Sequence, residues 1–312
     1  MDRHQSQRQH IYGLTADAHF LHLLHQPSLT GGISKGYVEQ VFNKAINFSI
    51  NNQLYTLLGS KTDNAPNSCR IINKDFLPFN ITAGDSVYIL NNEIKIGEKY
   101  VVSFLLCKKW IPPTVYFINE KLTEEKYRYF LQSKINEIDS ILNSKTLSLF
   151  NYQGENCFYL ETSKKLNELR FSLINLFINK QHQGLVHIVS QFVGLGIGLT
   201  PSGDDYLVGL MAFLLLKHHP ANACYQSFYQ GISQSKANTT PISAITLEKA
   251  LNQEYRENMH QLIQCLVDGR ETNIYPQILE ILNIGSSSGC DMLFGIRDAL
   301  FLTHYFGETH VD

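Results

Sequence analysis

The sequence predicts an α+β protein: a β-rich N-terminal domain, either a sheet or a small barrel, followed by an α-helical C-terminal domain with pseudo-repeated glycine-loop-to-helix motifs. Three observations carry this. In the first part of the chain, short β-branched and aromatic runs alternate with Asn and Gly turns. From Ser163 onward, apolar residues recur at three- and four-residue steps. Within that helical half, Ser202–Leu210 and Ser288–Ile296 match without a gap.

Taken in order, residues 1–30 read as an N-terminal extension rich in His and Gln. His19, His22 and His25 fall there at helical spacing. With no acidic or Cys partners they describe an exposed helix face rather than a metal site. Residues 31–120 read as the β-rich domain, with strands at Ala45–Ile50, Leu54–Leu58, Ser86–Leu90 and Tyr100–Leu106. The breaks are Asn51-Asn52, Gly59-Ser60, Asn64–Asn67, Gly84-Asp85 and Asn91-Asn92, and Asn91–Gly97 reads as a further hairpin. Pro112-Pro113 marks the change of pattern. Residues 121–160 read as a helical connector whose helix runs from Thr123 to Leu142, opened by a capping-box-like Thr123-Glu-Glu-Lys126. Residues 161–312 read as the α-helical ligand-binding domain.

Composition narrows the function. A net charge of -2 with 17% charged residues offers no clustered basic face, which argues against a nucleic-acid binder. The longest apolar run, Tyr206 to Leu216, is half the roughly 20 residues a membrane-spanning helix needs. The polar N-terminus lacks the apolar core of a signal peptide, so a cytoplasmic protein is expected. The six cysteines, Cys69, Cys107, Cys157, Cys224, Cys265 and Cys290, are scattered, with no zinc-like spacing, and read as buried thiols of a reducing cytoplasm.

Three joints in the helical half share one design. The first is Gly194-Leu-Gly-Ile-Gly-Leu-Thr-Pro-Ser-Gly-Asp-Asp205. Its alternating glycines, Gly194, Gly196 and Gly198, permit backbone angles closed to other residues and expose successive N–H groups. Thr200-Pro201 reads as N-cap and first helical residue, with Ser202 and Asp205 at capping-box spacing. The second joint is Ile284-Gly-Ser-Ser-Ser-Gly-Cys-Asp291, again followed by an apolar helix, Met292 to Phe306. The repeat pairs Asp205 with Asp291 and Gly209 with Gly295, each glycine one turn past its aspartate. The expectation is a pseudo-symmetric helix pair that brings both N-termini to one site. The third joint is Asn238-Thr-Thr-Pro-Ile-Ser243, opening a helix read from Ala244 to Glu254, where Asn238, Thr239 or Thr240 can cap with Pro241 next inside.

Helix N-termini and glycine loops attract small anions. The ligand-binding set is therefore Gly196, Gly198, Thr200, Ser202, Gly203, Asp204, Asp205, Asn238, Thr239, Thr240, Ser243, Gly285, Ser286, Ser287, Ser288, Gly289 and Asp291. Asp204, Asp205 and Asp291 would repel an anion, and two solutions stand open. Either they cap their own helices, or they hold Mg²⁺, the one cofactor the residues suggest. No catalytic residue stands out. The motif serines lack an adjacent His, since His187, His260 and His304 fall inside helices, and Arg256, Arg270 and Arg297 are the candidate positive charges. Arg297 points away from Asp291 by helical phase. There is no Walker lysine and no Rossmann fingerprint.

These three motifs, in this order, resemble those of the AllH family, bacterial proteins that include the AllH subunit of oxamate carbamoyltransferase from anaerobic allantoin breakdown. The resemblance covers roughly residues 35 to 305; it is strong in the motifs and rests on pattern and order in the β-rich half. Ile197 stands where proline is frequent in the family, and the N-terminus is longer. The resemblance implies a subunit acting with an FdrA-like protein and a second large subunit on a small anionic substrate, carbamoyl phosphate or oxamate. Together they would carry out carbamoyl transfer between carbamoyl phosphate and oxamate, giving oxalurate or the reverse. The alternatives are a non-catalytic anion-binding scaffold subunit and a stand-alone Mg-dependent transferase.

Overall fold

A computed structural model describes residues 8–25, 34–90, 92–145, 148–272 and 274–309. The chain divides into two compact units between Pro112 and Pro113.

The first unit is a closed antiparallel-rich barrel. Its strands are β1 (Gln9–Ala16), β2 (Ser34–Val41), β3 (Ala45–Ile50), β4 (Gln53–Leu58), β5 (Ser68–Ile71), β6 (Ser86–Leu90), β7 (Glu93–Ile96), β8 (Tyr100–Ser103) and the short β9 (Lys108–Lys109). They hydrogen-bond in the order β5-β4-β3-β2-β6-β7-β8-β1-β9, and a further pairing of β5 with β1 closes the ring. Closure leaves the main strands without an unpaired edge. The turns follow from residue type. Asn51 and Asn52 both have positive φ and form the two-residue loop of the β3–β4 hairpin, while Asn92 does so after β6.

Two readings of this half change. Residues 9–25, assigned to an extension, supply β1 and the helix α1 (Ala18–His25). Alternation in β1 is interrupted by a bulge between Gly13 and Thr15, which hides the period-two signal from the sequence. The strand expected over Tyr100–Leu106 ends at Ser103, because Phe104–Cys107 forms a tight turn that leaves Leu105 89% exposed. In α1, the Phe20 N–H donates to Asp17 Oδ1 at 3.0 Å. Phe20 enters the barrel core edge-on to Phe48 and Tyr55, a burial worth about 2–3 kcal/mol. His19, His22 and His25 line the exposed face of α1, as expected.

The second unit is helical: α2 (Glu125–Asn143), α3 (Cys157–Ile178), α4 (Leu185–Phe192), α5 (Ser202–Leu214), α6 (Tyr225–Ser235), α7 (Pro241–Leu251), α8 (Glu257–Asp268), α9 (Ile274–Leu282) and α10 (Ser288–Thr309). Every residue of α5 is buried, so it forms the centre of this unit, with α10 packed along it and α2 on α10. The segment read as a connector therefore belongs to the helical core: Leu131, Ile135 and Ile138 of α2 are fully or nearly fully buried in it. Its capping box does not form. Glu124 stands at the N-cap without a side-chain bond, and the Thr123 hydroxyl donates to Glu120 O instead. Of the six cysteines expected to be buried, the structure leaves Cys157, the first residue of α3, exposed and Cys107, in the turn after β8, half-buried.

Candidate functional site

The gapless repeat of the sequence is a repeat in space. In the first copy, α4 ends at Phe192, the Leu195 N–H closes onto Phe192 O at 3.0 Å, and the Gly203 N–H donates to Leu195 O at 2.8 Å. In the second, α9 ends near Ile281, the Ile284 N–H closes onto Ile281 O at 3.0 Å, and the Gly289 N–H donates to Ile284 O at 3.0 Å. The two loops differ in that Gly-Ile-Gly-Leu-Thr-Pro of the first is longer than Gly-Ser-Ser of the second. Gly196 and Gly198 of the longer loop, Gly194 just before it, and Gly285 of the shorter loop have positive φ.

The two copies cross at the spacing of glycine from aspartate that they share. A Cβ at Gly209 would lie 2.0 Å from Met292 O, and one at Gly295 would lie 2.1 Å from Tyr206 O. Each glycine thus lets the backbone of the other helix approach to contact. The aspartates exchange partners across the same seam. Asp205 of α5 is stabilised in its charged form by hydrogen bonding from Ser288 of α10 and from Thr200. Asp291 of α10 is stabilised likewise by Ser202 of α5, with Ser287 and Ser148. Thr200 Oγ1 and Ser288 Oγ lie 2.8 Å apart and join the two loops directly.

Burial opposes these bonds. Asp205 and Asp291 are at most 2% exposed, and Oδ2 of each has no hydrogen-bond partner among the described residues. Burial pushes the Asp291 carboxyl up to about 7 against the pull of Ser148, Ser202 and Ser287. Asp205 is raised well above the carboxylate range, first by burial and then by the charge of Asp291. The pair is thus held by hydroxyls on one side and starved of solvent on the other.

Asp204 has a different task. Its Oδ1 accepts from the Gly194 N–H at 2.8 Å, and its Oδ2 accepts from the hydroxyls of Thr239 and, at 2.6 Å, Ser243. It clamps the third motif onto the first, and burial raises its proton affinity against those bonds. Thr240 adds a second link: its hydroxyl receives the Ser243 N–H at 3.1 Å, capping α7, and donates to Leu199 O. Asn238 is exposed, but its backbone carbonyl would stand 2.2 Å from a Cβ at Gly194.

Several expected roles change. Thr200 does not cap α5; Pro201 occupies the N-cap without a side-chain bond, because the Thr200 hydroxyl is turned to Ser288. The Ser202–Asp205 capping box is replaced by the exchange between helices. An Mg²⁺ site made of Asp204, Asp205 and Asp291 does not fit, since both oxygens of Asp204 are already accepting from three donors. No group of three or more His, Cys, Asp or Glu is arranged for a metal ion among the described residues.

The surface of the site is formed by Gly198, Asn238, Gly285 and Ser286, which are exposed, with Gly196, Thr200, Thr239, Thr240, Ser287 and Ser288 half-buried behind them. Ser202, Gly203, Asp204, Asp205, Ser243, Gly289 and Asp291 are buried beneath. Two of the candidate arginines are paired within the helical unit. Arg297 pairs with Asp139 at 2.9 Å and with Asp298, and Arg270 pairs with Asp268 at 2.8 Å. His187 is exposed on α4, His260 is buried in α8 accepting the Tyr255 N–H, and His304 lies in α10 beside Glu308.

Two features beneath the site are not among the sequence-predicted residues. Ser148 sits within residues 121–160 and donates to Asp291, with nothing in its neighbours to announce it. Asp298, fully buried, accepts from Arg170 at 2.6 and 2.9 Å and from the Tyr206 hydroxyl at 2.8 Å. The sequence does carry a sign of it: Asp291, Gly295 and Asp298 share one face of α10.

Chemically, the arrangement offers two adjacent helix N-termini and a rim of hydroxyls and backbone N–H groups, the donors that small anions seek. No solved structure matches the chain. The family model described as oxamate carbamoyltransferase subunit AllH matches residues 192–300, which contain all three motifs, and the model of the AllH family N-terminal domain matches residues 12–109, which contain most of the barrel. The chain belongs to the AllH family.

Proposed function

We propose that this protein is a subunit of an oxamate carbamoyltransferase-type complex and that its twin loops bind the small anionic substrate, carbamoyl phosphate or oxamate. The observation that carries the reading is the convergence of the α5 and α10 N-termini, joined by the Thr200–Ser288 contact within a region matched by the family model. The family's printed description supports the subunit role. The donors supplied by Thr200, Ser286, Ser287 and the loop N–H groups suit a phosphate or a developing oxyanion. The raised proton affinity of the Asp205–Asp291 pair removes part of the repulsion that two buried carboxylates would exert on an anion. No nucleophile is needed for direct carbamoyl transfer. The motifs supply no free cationic side chain, and the reading assigns that charge to a partner, an FdrA-like protein or a second large subunit. The reading includes a cytosolic assembly; no helix among the described residues is long and apolar enough to cross a membrane.

The test is co-expression of this chain with the FdrA-like and second large subunits, followed by assay of carbamoyl transfer between carbamoyl phosphate and oxamate. A three-component complex is expected, whose activity is lost when this chain is omitted and falls at least tenfold in a Thr200→Val/Ser287→Ala variant. Full activity of the other subunits without this chain would refute the reading. Loss of activity on omission, with no effect of the loop variant, would favour a scaffold role.

A further inference from the structure

The barrel holds a thiol pair that carbamoyl transfer does not use. Cys69 lies in β5, fully buried, and Cys107 lies in the turn before β9, half-buried. Their sulfurs are 4.0 Å apart. β5 pairs with one edge of β1, while β8 and β9 pair with the other, so the two thiols meet across β1. Gly13 of β1 makes that meeting feasible. A Cβ there would come within 3.2 Å of Cys69 Sγ and 3.4 Å of Cys107 Cβ. The bulge after Gly13 lies at the same point.

We propose that Cys69 and Cys107 are a reversible disulfide site, oxidised by a hydroperoxide, that staples the barrel across β1. The sulfurs must approach by about 2 Å to bond, within reach of side-chain rotation. The environment divides the labour. Hydrogen bonding from Cys69 holds the Cys107 thiol below its ordinary proton affinity, while the same bond and then burial push Cys69 up. Cys107 is the attacking thiolate. It attacks one peroxide oxygen and the O–O bond breaks, giving a sulfenic acid at Cys107 and water or alcohol. Cys69 sulfur then attacks the Cys107 sulfur, expelling hydroxide that leaves as water with the Cys69 proton. In sum, two thiols and one hydroperoxide give one disulfide, one water and one water or alcohol.

The experiment uses the full chain, fully reduced, freed of reductant and titrated with hydrogen peroxide. Remaining thiols are blocked with N-ethylmaleimide and the chain is mapped without reduction. The expected result is a Cys69–Cys107 linked peptide at the lowest peroxide dose, an upward shift in the barrel's thermal unfolding, and return of both thiols with dithiothreitol. Cys69→Ser is expected to leave a dimedone-reactive sulfenic acid at Cys107, and Cys107→Ser to leave Cys69 unoxidised. Oxidation of exposed Cys157 first, with Cys69 and Cys107 both still unlinked, would overturn the proposal. So would sulfinic acid at Cys107 with no linkage. The wild-type mapping decides the matter even if Cys69→Ser does not fold.

Discussion

Gly295→Ala places one methyl group in the seam between α5 and α10, and its cost can be worked from the geometry. The new Cβ would stand 2.1 Å from Tyr206 O and 2.5 Å from Leu210 N. Both are backbone atoms of the facing helix, so no side-chain rotation relieves the clash. Carbon–oxygen contacts relax at about 3.3–3.6 Å, so the helices must part by more than about 1 Å locally. Overpacking of this kind costs at least the usual ~1–3 kcal/mol, and alanine's better helix propensity returns about 1 kcal/mol. Because both obstacles are backbone, the cost falls at the top of that range, and a net loss of about 2 kcal/mol follows, which lowers the melting temperature of a domain this size by about 4–8 °C. Gly209→Ala meets Met292 O at 2.0 Å and predicts the same. Once one methyl has parted the helices the second costs less, so the double variant should lose less than the sum. Calorimetry of the three variants is the assay. A melting temperature at or above wild type for either single variant would refute the close crossing.

Other consequences follow from the buried charges. The folded Asp291 carboxyl titrates at about 7 against an ordinary 3.8, so the native state holds the proton more tightly than the unfolded chain. Its contribution to stability is therefore fully present below about pH 4 and is lost as pH rises through about 7, a span worth about 4 kcal/mol. Asp291→Asn should flatten that slope and gain stability over wild type at pH 8, as read by urea denaturation; an unchanged slope would count against it. Anion affinity at the twin loops should weaken over the same window as the pair loses its proton, measurable by titrating oxamate between pH 6 and pH 8. Ser148→Ala removes a buried donor to Asp291 and should cost about 1–3 kcal/mol. Asp298→Ala strands the Arg170 guanidinium, which packs 4.9 Å above the Phe294 ring, and should cost about 3–5 kcal/mol.

How much of this was legible depended on whether the determining contacts were local. The Asn51-Asn52 hairpin, the Thr240-Pro241 helix start and the positive-φ glycines follow from residue type within a few positions, and the sequence announced each. The α5–α10 repeat was legible because two long-range partners happen to share one motif. β1 was not, since its bulge breaks the alternation that marks a strand. Asp204 and Asp205 are neighbours that face different elements, one toward Thr239 and Ser243, the other toward Ser288. Helical phase separates them, but only the fold says what lies on each side. Ser148 reaches Asp291 across 143 residues, beyond any local rule.

The central claim is that the two copies and the third motif form one ligand site. Hydrogen exchange on the full chain, alone and with its co-purified subunits, tests it most directly, with and without carbamoyl phosphate or oxamate. Joint protection of residues 194–205, 238–243 and 284–291 is the predicted result. Protection confined to one of these segments, or lying outside all three, would contradict it.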